Sequence, residues 1–293
     1  MSRKAFALFN FNGINKPMHL LVLIIFQLLF FLSPAWGSVS AGMGPEYFDW
    51  RELDADGKQF LEESGFRYAV RLDWTQDRKD RVFFGYEGKL YLGAVKYDGQ
   101  TLETGVPVTT TTSYSGFQNE GHLNLRSSLN NSLSLDVITG LGWDHWNRNI
   151  QGQVEDYDIV YVKLGPRLSQ KGEEGIWFTI GGKYPLYTFE NAHLTDIGFD
   201  QNPPLHPGRQ LSLYANCGFR FNPLFEIVID YDSYRFSESQ REAVNWIGHG
   251  PRLVRQPESN MWILGLQLVF HLQQRQPDPP LPTIDSSASD GLK

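Results

Sequence analysis

The eleven residues Asn260-Met-Trp-Ile-Leu-Gly-Leu-Gln-Leu-Val-Phe270 constrain the fold more than any other stretch. Taken in twos they present one bulky face, Trp262, Leu264, Leu266, Leu268 and Phe270, against Met261, Ile263, Gly265, Gln267 and Val269. A period of two is a strand's signature, and a half-buried soluble strand shares it. The bulky face, however, is apolar throughout and carries an aromatic residue at each end. That pattern suits a strand facing lipid, with a ring at each membrane interface.

The first forty residues read as an export signal. A basic leader (Arg3, Lys4, Lys16) precedes the apolar run Leu20–Leu32, Pro34 breaks it, and Ala35-Trp36-Gly37 offers a small-x-small cleavage site. A spanning helix takes about 20 residues, so this run is short for an anchor and right for a signal's apolar core. Met18 is an alternative start, Ala41 an alternative cleavage point, and an uncleaved anchor the competing reading. No cysteine stands at the cleavage site, which excludes a lipoprotein.

Removing residues 1–37 takes away three basic and no acidic groups, leaving 23 basic against 33 acidic, a net charge of −10. So acidic a chain is a poor nucleic-acid binder, because phosphate recognition needs clustered Lys and Arg. The single cysteine, Cys217, excludes an internal disulfide framework. Mean hydropathy is −0.35, and no later segment is apolar enough for a spanning helix. If the chain crosses a membrane it does so as a closed barrel, the only other structure that satisfies every backbone group in lipid. Aromatic residues at 14 % fit the girdles of such a barrel.

The period of two returns along the chain. It is clear in Arg67–Trp74, Arg81–Tyr97, Tyr114–Arg126, Ser132–Trp146, Tyr157–Arg167, Ile176–Tyr184, Leu211–Phe221 and Phe225–Asp232. Tyr47–Leu53 is a shorter run, followed by the turn Asp54–Gly57; over Lys58–Ser64 a helical turn competes with a strand, and Gly65 fits a bulge or a helix stop. The connections after Trp74 are read as alternately short and longer: 75–80, 98–112, 127–131, 147–154, 169–174, 186–208, 222–223 and 237–257. Outer-membrane barrels have this asymmetry, with tight turns inside and long loops outside. Parity then requires Tyr47–Leu53 as a first crossing strand and gives ten, with eight as the fallback. The domain reading is 1–37 signal, 38–45 a short lead-in, 46–271 barrel, and 272–293 a Pro- and Ser-rich tail too polar to bury a core.

The spacing Gly265-x-x-Leu268-x-Phe270 resembles the C-terminal insertion signal of bacterial outer-membrane β-barrels. The resemblance implies an all-β, up-and-down antiparallel transmembrane barrel, inserted by the barrel-assembly machinery and surrounded by outer-membrane lipid and lipopolysaccharide. The tail beyond His271 departs from that family's pattern, in which the closing strand usually ends the chain. A soluble periplasmic β-sandwich is the competing fold.

With the bulky faces outward, the lumen receives Arg71, Lys89, Arg126, Lys163, Arg167, Lys183 and Arg220 together with Asp73, Glu87, Glu120, Asp136, Glu226, Asp230 and His122. Ten strands enclose a space little wider than side chains fill, and enclosed charges must pair. The expected role is therefore a charge-paired wall element, or else a narrow pore.

Two site patterns compete with that reading. Glu52–Glu63 resembles an EF-hand calcium loop, with Asp54, Asp56, Gly57 and Glu63 in place, but Glu52 replaces the usual first Asp and no helix pair flanks it; a hairpin turn is the better reading. The other is a barrel hydrolase, omptin-like or lipid-modifying. The His-x-Ser-type motifs of lipid-modifying barrels are absent, while omptin-like outer-membrane proteases are ten-stranded and use Asp and His near the rim. Here the candidates are Asp144, His145, His193 with Asp196, Asp230, Asp232 and His249. Asp144 and His145 are sequence neighbours on a strand and so point to opposite faces. The residues point to no cofactor, no metal and no catalytic role.

Overall fold

The computed structural model describes residues 37–76, 81–100, 105–172 and 174–272. The expected signal segment, save Gly37, and nearly all of the tail lie outside these. The elements are β1 (Gly37–Leu53), β2 (Gln59–Gln76), β3 (Val82–Gln100), β4 (Pro107–Ser128), β5 (Leu133–Ile150), β6 (Gln153–Gln170), β7 (Gly175–Asn191), β8 (Gly208–Arg209), β9 (Ser212–Arg220), β10 (Phe225–Ser237), β11 (Glu242–Trp246), β12 (Gly250–Val254) and β13 (Glu258–His271). Every wall strand pairs antiparallel with its neighbours, and β13 closes the circle by pairing with both β10 and β1. The result is a ten-stranded barrel, with β8 a short adjunct to β10 and β11–β12 a separate hairpin on the last long loop. It is not a pair of stacked sheets.

The lipid-facing set follows the sequence pattern. Leu264, Leu266 and Leu268 are each 40–51 % exposed on the outer face. Two girdles bound this belt. Tyr47 with Phe66 and Trp262, and Phe117 with Trp143, form the upper one; Trp74 with Phe84, Phe219 with Phe221, and Phe225 with Phe270 form the lower. Apolar outer residues held between aromatic rings are what hydrocarbon requires of a spanning strand. No described helix is long and apolar enough to cross.

The strands are longer than the sequence rhythm indicated. Several run 17–22 residues, whereas a tilted strand spans with about 10. Above the upper girdle the outer face turns polar (His145, Asn147, Asp156, Asp158), so alternation no longer marks the strand although pairing continues. This accounts for the corrections at the loop end, whereas the lead-in lies at the turn end. The expected lead-in 38–45 belongs to β1, whose ladder to β13 begins at Ser40↔His271. The 98–112 loop shrinks to 101–106, because Thr109–Thr112, β-branched strand formers, pair with β3. The expected loop 147–154 is a two-residue turn, Gln151-Gly152, with positive φ at both positions (51° and 100°), the geometry of a tight hairpin. Lys58–Ser64 is strand from Gln59 onward, and the β2–β3 ladder keeps one register across Gly65, so neither helix nor bulge forms there. Of the connections at the loop end, only 192–211 and 238–257 are long.

Candidate functional site

The lumen is filled in layers. Near the turn end Arg126 makes a two-pronged contact with Asp136 (2.7 and 2.6 Å), Arg220 and His271 meet Glu226 (3.1 and 2.9 Å), and Arg167 lies 3.8 Å over the Trp177 ring. In the middle Arg71 bridges Asp73 and Glu87 (2.8 and 3.0 Å), Lys163 meets Glu120, Lys183 meets Asp232 (2.6 Å), and Asp230 accepts from Gln267 (3.1 Å). Lys89 and Arg67 share Glu46 (2.9 and 3.2 Å). The space left among these groups is about 40 Å³, room for a few waters only.

The loop-end half is closed by aromatics. Phe48, Trp50, Trp146, Tyr157, Tyr234 and Phe236 are all 0–2 % exposed and touch one another inside the barrel; Trp146 stacks on Tyr157 at 4.9 Å and Tyr234 on Phe236 at 5.6 Å. Arg67 is held between the Phe48 and Tyr91 rings (4.3 and 4.4 Å). Asp144 accepts from the hydroxyls of Tyr91 and Tyr234 (2.7 and 3.1 Å). Above them Arg148 meets Glu63, Glu155 and Glu52 at 2.8, 2.6 and 3.2 Å.

The structure places the expected lumen residues, Arg71, Asp73, Glu87, Lys89, Glu120, Arg126, Asp136, Lys163, Arg167, Lys183, Arg220, Glu226 and Asp230, on the inward faces of their strands. Of the insertion-signal residues, Leu268 and Phe270 face outward, while Gly265 faces in, where any Cβ would come within 2.6 Å of the Asp230 carboxylate. The lumen set expected from the sequence lacks Glu46, Arg67, Arg148, Glu155 and Glu190, together with Glu52 and Glu63, which the sequence placed in the calcium-loop pattern, and Asp232, which it placed at the rim. The signal for Arg148 was present: Asp144, Trp146, Arg148 and Ile150 keep the inward phase of β5. The calcium-loop pattern resolves as a turn, in which Asp54 Oδ1 accepts from the Asp56 and Lys58 amides and Glu63 reaches inward to Arg148.

The rim histidines serve as anchors. His145 contacts Asp158 (3.1 Å) on the outer face, away from the inward Asp144. His193 turns to Asp156 (2.7 Å) rather than Asp196, tying the 192–211 loop to β6. His249 stacks on Trp246 (4.3 Å) in the β11–β12 hairpin, and the two long loops share a small core of Ala192, Leu194, Leu205 and Val244.

No protein-family model and no curated protein matches the chain in sequence. Solved structures do match. The outer-membrane protease OmpT from Escherichia coli aligns over 82 % of this chain and 97 % of its own, at 10 % identity with a TM-score of 0.52. An outer-membrane channel from Pseudomonas putida F1 aligns over 82 % and 97 % at 8 % identity (TM-score 0.41), and Ail of Yersinia pestis over 80 % and 99 % at 11 % identity (TM-score 0.30). The chain has the fold of the bacterial outer-membrane β-barrel proteins. As in that fold, an apolar belt faces outward and the lumen is enclosed.

Proposed function

We propose that this protein is a structural wall element of the outer membrane whose lumen does not conduct. The observation that carries this reading is the fully buried aromatic layer, Phe48 to Phe236, seated over the paired charges. Side chains that fill the cross-section leave no continuous water path, and ions do not enter a dry aromatic constriction. The test is reconstitution into planar bilayers: the folded barrel gives no unitary current steps. Steps whose ion selectivity changes with Lys183→Glu would establish the narrow pore instead.

A rim hydrolase is the second reading, favoured by the two oriented carboxylate–histidine pairs, His145–Asp158 and His193–Asp156. Both pairs sit on the outer side of the wall and hold Trp143 and Asn147 or loop backbone in place. Peptidase and lipid-ester assays on the wild type and on the His193→Ala and His145→Ala variants separate the two. Turnover that these substitutions remove would overturn the structural reading.

A further inference from the structure

At the loop end one guanidinium faces four carboxyl groups. Arg148 of β5 is surrounded by Glu52 of β1, Glu63 of β2, Glu155 of β6 and Glu190 of β7, all five residues 0–7 % exposed. Fully ionised, the group would carry a net charge of −3 sealed from water, and each unpaired buried charge costs several kcal/mol. The other groups packed around it are neutral donors: Thr112 and Tyr114 of β4 on Glu63, Tyr157 of β6 on Glu155, and Trp50 on Glu52. Tyr97 of β3 faces the same charges.

Two further groups point to a bound proton. The Gln256 amide lies between two of the carboxyls. One of its heavy atoms is 3.0 and 3.1 Å from the Glu190 oxygens, and the other is 3.5 Å from Glu52 Oε1. The amide is satisfied with its NH2 toward the two Glu190 oxygens, which leaves its carbonyl oxygen toward Glu52; that oxygen meets the Glu52 carboxyl without repulsion when the carboxyl carries hydrogen. The Ser259 hydroxyl, fully buried and opposite Glu52 in the β1–β13 ladder, has no partner among the described residues. Nor do the described residues hold a set of three or more His, Cys, Asp or Glu placed to bind a metal ion.

We propose that a proton held between Glu52 and Glu190 through Gln256 is a latch that fastens the 238–257 loop to the barrel. Gln256 closes the base of that loop, its backbone exchanging bonds with Ser239 (N to Oγ 2.9 Å, O from N 3.0 Å). With the proton gone, the amide oxygen is left facing the Glu52 carboxylate beside a sealed group that now carries its full excess of negative charge, Gln256 is expelled, and the loop lifts from the mouth. The level is above the hydrocarbon, where the outer faces of β5 and β6 carry Asn147 and Asp156. Burial, followed by the charges of Glu155 and Glu52, holds the Glu190 carboxyl well above the usual range, and burial raises Glu52 too. The latch does not depend on whether the lumen conducts.

The experiment is hydrogen exchange over residues 238–257 in the folded barrel in detergent micelles, corrected for intrinsic rates, between about pH 5 and 9. Protection of this loop falls reversibly by about tenfold per pH unit past the midpoint, while the membrane belt stays protected. Glu190→Gln, which keeps the neutral form, abolishes the step. Glu155→Gln, a separate variant in case the first does not fold, moves the step to lower pH. A flat wild-type profile, an unchanged step in a folded Glu190→Gln protein, or restoration of protection at high pH by millimolar Mg²⁺ or Ca²⁺ overturns the proton latch, the last in favour of a cation.

Discussion

Arg148 and Glu63 meet inside the barrel from strands that are not neighbours, Nη2 to Oε1 at 2.8 Å, across 85 positions of sequence. The contact joins β5 to β2 through the interior, so it braces the cross-section where the ladders alone cannot. Removing one partner of a buried ion pair strands the other, which costs about 3–5 kcal/mol. Arg148→Met is therefore expected to destabilise the folded barrel by that order, read as a lower urea midpoint in micelles. Arg148→Lys keeps the charge and loses the fork, and falls between the two.

The aromatic layer makes a separate prediction. Trp50 and Trp146 lie 6.4 Å apart, centroid to centroid, with Trp50 and Phe236 at 6.2 Å. Replacing all three with Ala empties the constriction, and the variant is expected to show small current steps where the wild type shows none. Each truncation of a buried aromatic costs about 3–5 kcal/mol, so the single Trp50→Ala barrel, folded by its mobility in cold detergent, is the control. A triple variant that folds and stays silent would place the barrier in the charged layer below.

The membrane half of the molecule was legible because a single rule governs it: lipid outside and enclosed charge inside force strict alternation, as in Trp262 to Phe270. Ten strands followed from parity once Tyr47–Leu53 was read as crossing. The loop-end half was not legible for the opposite reason. There Asn147 and Asp156 face water outside while Arg148 and Glu155 sit inside, so both faces of β5 and β6 are polar and the period disappears from composition. The three-dimensional pairings were beyond reach for another reason. Lys89 with Glu46 and Lys183 with Asp232 join non-consecutive strands, and barrel closure and tilt set which inward residues share a level.

Stability is expected to fall as pH rises through the folded value of Glu190. Its ordinary value is 4.5, and burial with Glu155 and Glu52 raises it well above that. Between the two values the folded state binds more protons than the unfolded one, so the contribution is fully present below the ordinary value and is lost above the raised one. Urea midpoints measured across this window should decline with pH in the wild type and flatten in Glu190→Gln. An equal decline in both would mean that another group carries the linkage.

The seam between the first and last strands supplies a sharper steric test. Between Met43↔Leu268 and Glu46↔Gly265 the β1–β13 ladder lapses at Gly44 and Pro45 and resumes in the same register. A Cβ on Gly44 would fall 1.8 Å from the Leu266 carbonyl oxygen, a backbone atom that cannot turn aside. Proline removes a donor at the neighbouring position, so this is already a thin part of the seam that joins the first and last wall strands. Gly44→Ala must push β1 off β13 and is expected to lower the temperature at which the barrel loses its compact mobility in detergent gels. Gly121→Ala is the comparison: there the nearest atom is the edge of the exposed Phe84 ring on the outer face, at 3.3 Å, which can give by the little needed. If the two variants melt together, the seam has slack that the Leu266 contact denies.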